Sequence, residues 1–140
     1  MPYKRNRILA VDYGEKNIGL ACSDDMGLIA RPLPSIPNRG QGDLITKIEA
    51  LVKEMDIQQV VVGIPLNMDG TRGQAVVRIE RLIAALEKSL GKRPAGVDER
   101  LSTTEAMELW DNMSPRRRKK YRTVDSLAAA LILERYLREG

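Results

Sequence analysis

The sequence predicts an α/β fold with a mixed sheet, in which three antiparallel strands precede alternating β and α elements and helices cover both faces. Three patterns predict it. Apolar residues alternate with period two in Asn17 to Ser23 and, more weakly, in Leu28 to Ile36. From Leu44 onward the apolar period becomes that of a helix. Val60 to Ile64 is a continuous apolar run, which is typical of a strand buried on both faces.

The first half of the chain is predicted to form four strands and one helix. Ile8 to Val11 is a buried strand that ends at the turn Tyr13-Gly14 and begins an antiparallel meander with the two period-two segments. The helix after the meander has Asp43 as its predicted N-cap. Its apolar face consists of Leu44, Ile48, Leu51, Val52 and Met55.

The second half of the chain is predicted to alternate helices with strands. Thr71 is expected to cap a long helix, and Ala95 to Asp98 to form a short strand. Ser102 to Glu105 has the pattern of a capping box that opens the next helix. The basic segment, Arg116 to Arg122, is predicted to be a loop, after which Asp125 opens the last helix.

Composition limits the classes of protein that the chain can represent. Its 140 residues are predicted to form one domain, residues 1–140. No apolar run is long enough to cross a bilayer, and the start lacks the apolar stretch of a signal peptide. The single cysteine, Cys22, suits a reducing compartment. We therefore expect a cytoplasmic protein with no membrane partner.

The chain contains no histidine, which removes the commonest general base, the commonest zinc ligand and every Ser-His or Cys-His pair. Asp12, Glu99 and Asp125 instead each stand at the edge of an apolar segment. Carboxylates at such positions are typical ligands of Mg²⁺ or Mn²⁺. Two such ions would activate water and stabilise the leaving oxygen of a phosphodiester.

Each of these acids also has a simpler structural explanation. Asp12 could support the turn that follows it, Glu99 could pair with Arg100, and Asp125 is a suitable acid for a helix N-terminus. Only their combination beside a basic segment favours a metal site. Because neighbours on a strand point to opposite faces, period two leaves open whether Asp98 or Glu99 faces Asp12.

The basic segment concentrates the positive charge of the protein. Its six lysine and arginine side chains exceed the net charge of +4, so the rest of the chain is slightly acidic. This distribution suits a polyanion bound at one place, although a solvated loop explains it about equally well. Tyr121 within the segment is a candidate to stack on an unpaired base, whereas Trp110 is expected in the core.

Four blocks of the chain resemble the YqgF family: Val11 to Gly19, Val62 to Thr71, Asp98 to Thr103 and Val124 to Ala129. They occur in the family order and cover nearly the whole chain. The resemblance implies a ribonuclease-H-like fold and a nuclease related to Holliday-junction resolvases, which matures the 5′ end of pre-16S ribosomal RNA.

The resemblance also assigns roles to residues. It makes Asp12, Glu99 and Asp125 the catalytic, metal-binding acids, which favours Glu99 over Asp98. Asn17 departs from the family, which often has arginine there, so the resemblance assigns no phosphate contact to that position.

The leading hypothesis is a nuclease that uses Mg²⁺ or Mn²⁺ to cleave structured RNA or branched DNA, as a monomer or a homodimer. The candidate nucleic-acid contacts are Lys16, Arg72, Arg100, Arg116, Arg117, Arg118, Lys119, Lys120 and Arg122. One alternative is a Holliday-junction DNA resolvase. Another is a non-cleaving binding module, although clustered acids would repel phosphates. A kinase of the sugar-kinase and actin type would need two such domains.

Overall fold

The computed structural model describes residues 6–67, 69–99 and 102–139, and the side chains of residues 102 and 103 are not described. The described chain forms a five-stranded sheet in the order β3-β2-β1-β4-β5. The strands are β1 (Ile8–Tyr13), β2 (Asn17–Ser23), β3 (Ala30–Pro37), β4 (Gln59–Ile64) and β5 (Ala95–Asp98). β1, β2 and β3 pair antiparallel, and β4 and β5 join β1 in parallel. The predicted mixed sheet is confirmed.

The helices cover both faces of this sheet, as the sequence predicted. They are α1 (Gln41–Glu54), α2 (Gln74–Leu90), α3 (Ser102–Asp111), α4 (Pro115–Tyr121) and α5 (Val124–Glu139). Leu9 and Val11 of β1 pack with α1 and α2 on one face. Ile8 and Ala10 pack with α5 on the other. The alternation along β1 therefore separates two cores. In the described part of the chain, no helix is long and apolar enough to cross a membrane.

The prediction of a loop for the basic segment is wrong, because most of it forms α4. Pro115 occupies the start of this helix, where a missing amide hydrogen costs nothing. The Ser114 hydroxyl caps the helix by accepting a hydrogen bond from the backbone N–H of Arg117 at 3.3 Å. Arginine and lysine are good helix formers, so the Ser-Pro pair followed by basic residues was a helix signal.

Two predicted helix caps are also wrong. α1 begins two residues before Asp43, with Gly40 at the N-cap, and Asp43 instead pairs with Lys47 at 3.1 Å. Thr71 precedes α2 without capping it: its N–H donates to the Asp69 carboxylate at 2.9 Å. The Asp69 side chain therefore holds the loop in a turn of its own, and α2 starts only after Gly73.

Candidate active site

Asp12 lies near the end of β1, on the sheet face that α5 covers, because it follows Ala10 by two residues. Glycines occupy the adjacent positions on both neighbouring strands. Gly19 is the partner of Asp12 on β2. Gly63 follows Val62, the β4 partner of Val11. Asp12 is thus flanked by two residues without side chains.

These glycines provide the space that the other two acids fill. A Cβ at Gly19 would lie 2.0 Å from the backbone oxygen of Asp125. A Cβ at Gly63 would lie 2.7 Å from the carboxyl carbon of Glu99 and 2.7 Å from Cδ1 of Ile132. All three distances are below the 3.0 Å that real Cβ atoms respect. These two glycines were not predicted to belong to the site, although a glycine inside a strand is a recognised signal of close approach.

Glu99 follows β5 directly, and its N–H donates to the Ile64 carbonyl at 3.0 Å. Like Val97, it lies on the face of the sheet that α5 covers. Its side chain is hydrogen-bonded to that of Asp12. The structure thus places Glu99 rather than Asp98 beside Asp12. Arg135 of α5 donates to the backbone carbonyl of Asp98 and fixes the end of β5.

Asp125 lies in the first turn of α5, above Gly19. Thr123 caps this helix, since its hydroxyl accepts from the Ser126 N–H at 3.0 Å. The Ser126 hydroxyl donates in turn to the Leu33 carbonyl of β3 at 2.5 Å. These contacts hold the start of α5 against the sheet, so the Asp125 charge acts on Asp12.

Asp12, Glu99 and Asp125 form the acid cluster, and burial dominates its electrostatics. It is the largest cause of the raised pKa of each of the three carboxyls. The pKa of Glu99, which is only 6% exposed, rises to about 9, with the Asp12 charge as the second cause. Their hydrogen bond lowers the pKa of Asp12 and raises that of Glu99, so Glu99 holds the shared proton.

The acid cluster has the donor chemistry for a divalent cation but is not a preassembled cage. Within the described ranges, no group of three or more acid, cysteine or histidine side chains is placed to hold a metal ion. Among the same residues, Oε2 of Glu99 is buried without any hydrogen-bond partner. An orphaned carboxyl oxygen beside a second carboxylate is a suitable pair of ligands for a hard cation.

We expect Glu99→Gln to raise the free energy of unfolding above pH 5 and to flatten its pH dependence. In the folded wild type the Glu99 pKa is about 9, against 4.5 for an ordinary glutamate. The unfolded chain therefore releases its proton first, and stability falls as pH rises between these values. Urea unfolding should be measured in EDTA for Glu99→Gln and the wild type. The difference between their free energies of unfolding should be larger at pH 8 than at pH 5 by at least about 1 kcal/mol, in favour of Glu99→Gln. Glu54→Gln, on the exposed end of α1, is the matched control, and parallel profiles for the two variants would contradict the expectation.

The structure places the predicted phosphate contacts in different settings. Lys16 and Arg72 are exposed on loops, and Arg72 is paired with Glu80. The exposed cations of the basic segment are Arg116, Arg117, Lys119, Lys120 and Arg122. Arg100 lies outside the described residues.

Arg118 differs from its neighbours in the basic segment. Its Nε donates to the Trp110 carbonyl at 2.8 Å, and its guanidinium lies 5.3 Å from the centre of the Trp110 ring. It therefore ties α4 to α3. Trp110 and Tyr121 both pack, half-buried, against the small core around Leu127 and Ala128.

Known proteins resemble this chain over nearly its whole length. The model of the family RuvX, described as Holliday junction resolvase, matches residues 6–139. A protein of Syntrophus aciditrophicus named "Putative pre-16S rRNA nuclease" is 40% identical over 131 residues, covering 94% of this chain and 87% of the relative. A protein of the same name from Lachnospira eligens is 37% identical over 134 residues, covering 94% and 96%.

Solved structures of low sequence identity share the fold. Thermus thermophilus RuvC in complex with a Holliday junction substrate matches with a TM-score of 0.58 at 15% identity, covering 96% of both chains. The fowlpox virus Holliday junction resolvase matches with a TM-score of 0.57 at 13% identity, covering 96% of this chain and 99% of the other. The sheet and its helices are thus those of this group of resolvases.

Proposed function

Because this chain belongs to the RuvX family of Holliday junction resolvases, we propose that it is a nuclease whose acid cluster hydrolyses phosphodiester bonds in the 5′-end processing of pre-16S ribosomal RNA. The observation that carries the proposal is the buried, hydrogen-bonded pair of Asp12 and Glu99. Burying two carboxyls side by side raises their pKa values and lowers the stability of the fold. A purely structural role would not require a buried pair of acids. Perturbed carboxyls of this kind are typical of catalytic sites.

The chain would supply its ligands to a divalent cation from three elements. Asp12 and Glu99 offer adjacent carboxyl oxygens, and Glu99 would release the proton that it shares with Asp12. Asp125 would join them by rotation of its side chain, since its backbone is already fixed above Gly19. Bound Mg²⁺ or Mn²⁺ would polarise the phosphodiester and lower the pKa of the attacking water.

The names of the curated relatives favour ribosomal RNA as the substrate, which implies work in the cytoplasm. A Holliday-junction DNA resolvase is the second candidate, favoured by the family description. That activity would require two acid clusters related by symmetry, hence a homodimer. A non-cleaving binding module is the third candidate. In such a module, a buried acid pair would lower stability without contributing to binding.

The decisive experiment compares two substrates under the same conditions. The purified protein is incubated with Mg²⁺ or Mn²⁺ and either an RNA fragment spanning the 5′ end of pre-16S RNA or a four-way DNA junction. We expect cleavage of the RNA near that end and no cleavage in EDTA. Symmetric cleavage of the junction, with no cleavage of the RNA, would favour the resolvase. Binding of both without cleavage would favour the module.

Neutralising exposed cations of α4 should weaken binding without changing chemistry. We expect Arg116→Gln, Arg117→Gln and Lys119→Gln together to reduce the slope of log affinity against log salt by roughly 0.7 to 0.9 per lost phosphate contact. The rate at saturating substrate should change little, because these side chains act in capture. Arg118 is kept, since its loss would detach α4 from Trp110.

The matched control for this triple variant removes three exposed cations from the opposite side of the sheet. Lys53 of α1 and Arg81 and Lys88 of α2 are exposed on the helices that cover the other face. An equal fall of the salt slope in both triple variants would mean that α4 makes no special contact with the substrate.

A further inference from the structure

A groove of about 830 Å³ lies away from the acid cluster, between the start of β3, the second half of α5 and the end of α4. Its β3 wall begins near Ala30, which pairs with Ser23, whereas Asp12 pairs with Gly19 at the other end of β2. None of the three acids of the cluster lines it. We call this feature the distal groove.

The distal groove is strongly electropositive. Four cationic side chains, all exposed, line it against one acid, Glu134. The four cations are Arg31, Lys120, Arg122 and Arg138. They come from three different elements of the fold, so the charge is concentrated by the tertiary structure rather than by the basic segment alone. Such a concave positive surface attracts polyanions.

Apolar side chains lie next to these charges. Leu28 is 73% exposed and Ile29 is 59% exposed, both on the wall that leads into β3. The half-buried ring of Tyr121 contributes to the opposite wall. A surface that offers cations for phosphates and apolar or aromatic contacts for unpaired bases is typical of single-strand binding.

The same edge of the sheet is poorly suited to pairing with another protein strand. β3 is the edge strand, and prolines at positions 32, 34 and 37 leave it without three amide hydrogens. Prolines on an edge strand block the addition of a further strand. The exposed apolar residues therefore favour a ligand that does not use backbone pairing.

We propose that the distal groove binds a single-stranded segment of the nucleic-acid substrate at a distance from the cleaved bond. The proposal rests on the proposed function for the choice of nucleic acid as the ligand. Since an α-helix rises 1.5 Å per residue, Arg138 lies ~20 Å along α5 from Asp125. That length corresponds to about six stacked nucleotides, at a spacing of ~3.4 Å per nucleotide along one strand. The groove extends from Arg122, three residues before Asp125, to Arg138. Its far end would thus anchor the strand several nucleotides from the acid cluster.

The test measures binding rather than cleavage, in full-length Asp12→Asn protein without divalent metal. The probes are labelled RNA duplexes with single-stranded overhangs of 0 to ~12 nucleotides. We expect affinity to rise by about tenfold once the overhang exceeds about six nucleotides, as for one or two added stacked bases and phosphate contacts. Adding Arg31→Gln and Arg138→Gln should remove this rise and leave the affinity for blunt duplex unchanged.

Controls separate this proposal from its alternatives. Arg81→Gln with Lys88→Gln removes the same charge from α2 and should keep the dependence on overhang length. Leu28→Ser with Ile29→Ser should weaken the binding of duplexes with long overhangs. The slope of log affinity against log salt should stay unchanged, because no charge is lost.

Affinity that does not depend on overhang length would overturn the proposal. Self-association of the chain, measured by sedimentation and lost in the groove variants, would also overturn the proposal. It would assign the surface to a second copy of the chain. If the protein cleaves neither RNA nor DNA, the overhang dependence still decides this proposal independently.

Discussion

Asp12→Asn is expected to reduce metal-dependent cleavage by about a thousandfold or more while leaving nucleic-acid binding intact or tighter. The substitution preserves shape but removes one charge and one proposed cation ligand of the acid cluster, between the two glycines. Lower negative charge also reduces the repulsion of phosphates. Single-turnover cleavage and equilibrium binding should be measured on the same RNA, so that loss of chemistry is separated from loss of capture.

The matched control is Asp43→Asn on α1, which removes an equal charge from an ion pair on the other side of the sheet. It should cleave at the wild-type rate, since such surface pairs contribute only ~0–1 kcal/mol to stability. Wild-type cleavage by Asp12→Asn in Mg²⁺ would remove Asp12 from the active site and with it the proposed mechanism.

Gly19→Ala is expected to be the most disruptive single-methyl change in the described part of the chain. The new Cβ would lie 2.0 Å from the backbone oxygen of Asp125, and backbone cannot rotate away as a side chain can. The first turn of α5 is also held by Thr123 and Ser126. We expect a loss of ~3 kcal/mol or more in the free energy of unfolding, at the upper end of overpacking effects. Cleavage should fall even well below the melting temperature.

Gly42→Ala provides the opposite outcome from the same chemical change. Gly42 lies inside α1, and a Cβ there would meet nothing within 4 Å. Alanine should therefore stabilise the protein by ~0.5–1 kcal/mol. Urea unfolding of the two variants beside the wild type tests both. If Gly19→Ala were as stable as the wild type, the described approach of α5 to β2 would be incorrect.

The sequence predicted the strands that carry the acids but left the face of Glu99 undetermined. Period two states that Asp98 and Glu99 point to opposite sides, yet it does not state which side α5 will cover. That depends on packing of Ala129 and Ile132 against Ala10 and Val97, contacts between residues more than 30 positions apart. The acids were therefore predictable from their positions at segment ends, whereas the choice between neighbours required the family resemblance.

Other features could not be read from local patterns because competing interactions decided them. Thr71 has the residue type of a helix cap, but the nearby Asp69 carboxylate captures its backbone N–H. Arg118 follows two other arginines in the basic segment, and nothing in the local sequence distinguishes it from them. Only its contact with Trp110 on a different helix gives it a packing role. The basic segment is the exception, since its helical nature was visible in the Ser-Pro start.

The dependence of the acid cluster on α5 also affects how the protein becomes active during synthesis. The sheet strand that carries Asp12 leaves the ribosome more than 100 residues before the helix that carries Asp125. Until α5 docks, the apolar face around Ala10 and Val61 has no cover, and the pairing that assembles the acids spans nearly the whole chain. A nascent or prematurely terminated chain thus cannot hold the three carboxylates together. Assembly of the acid cluster would therefore be a single late step of folding, after α5 has been synthesised.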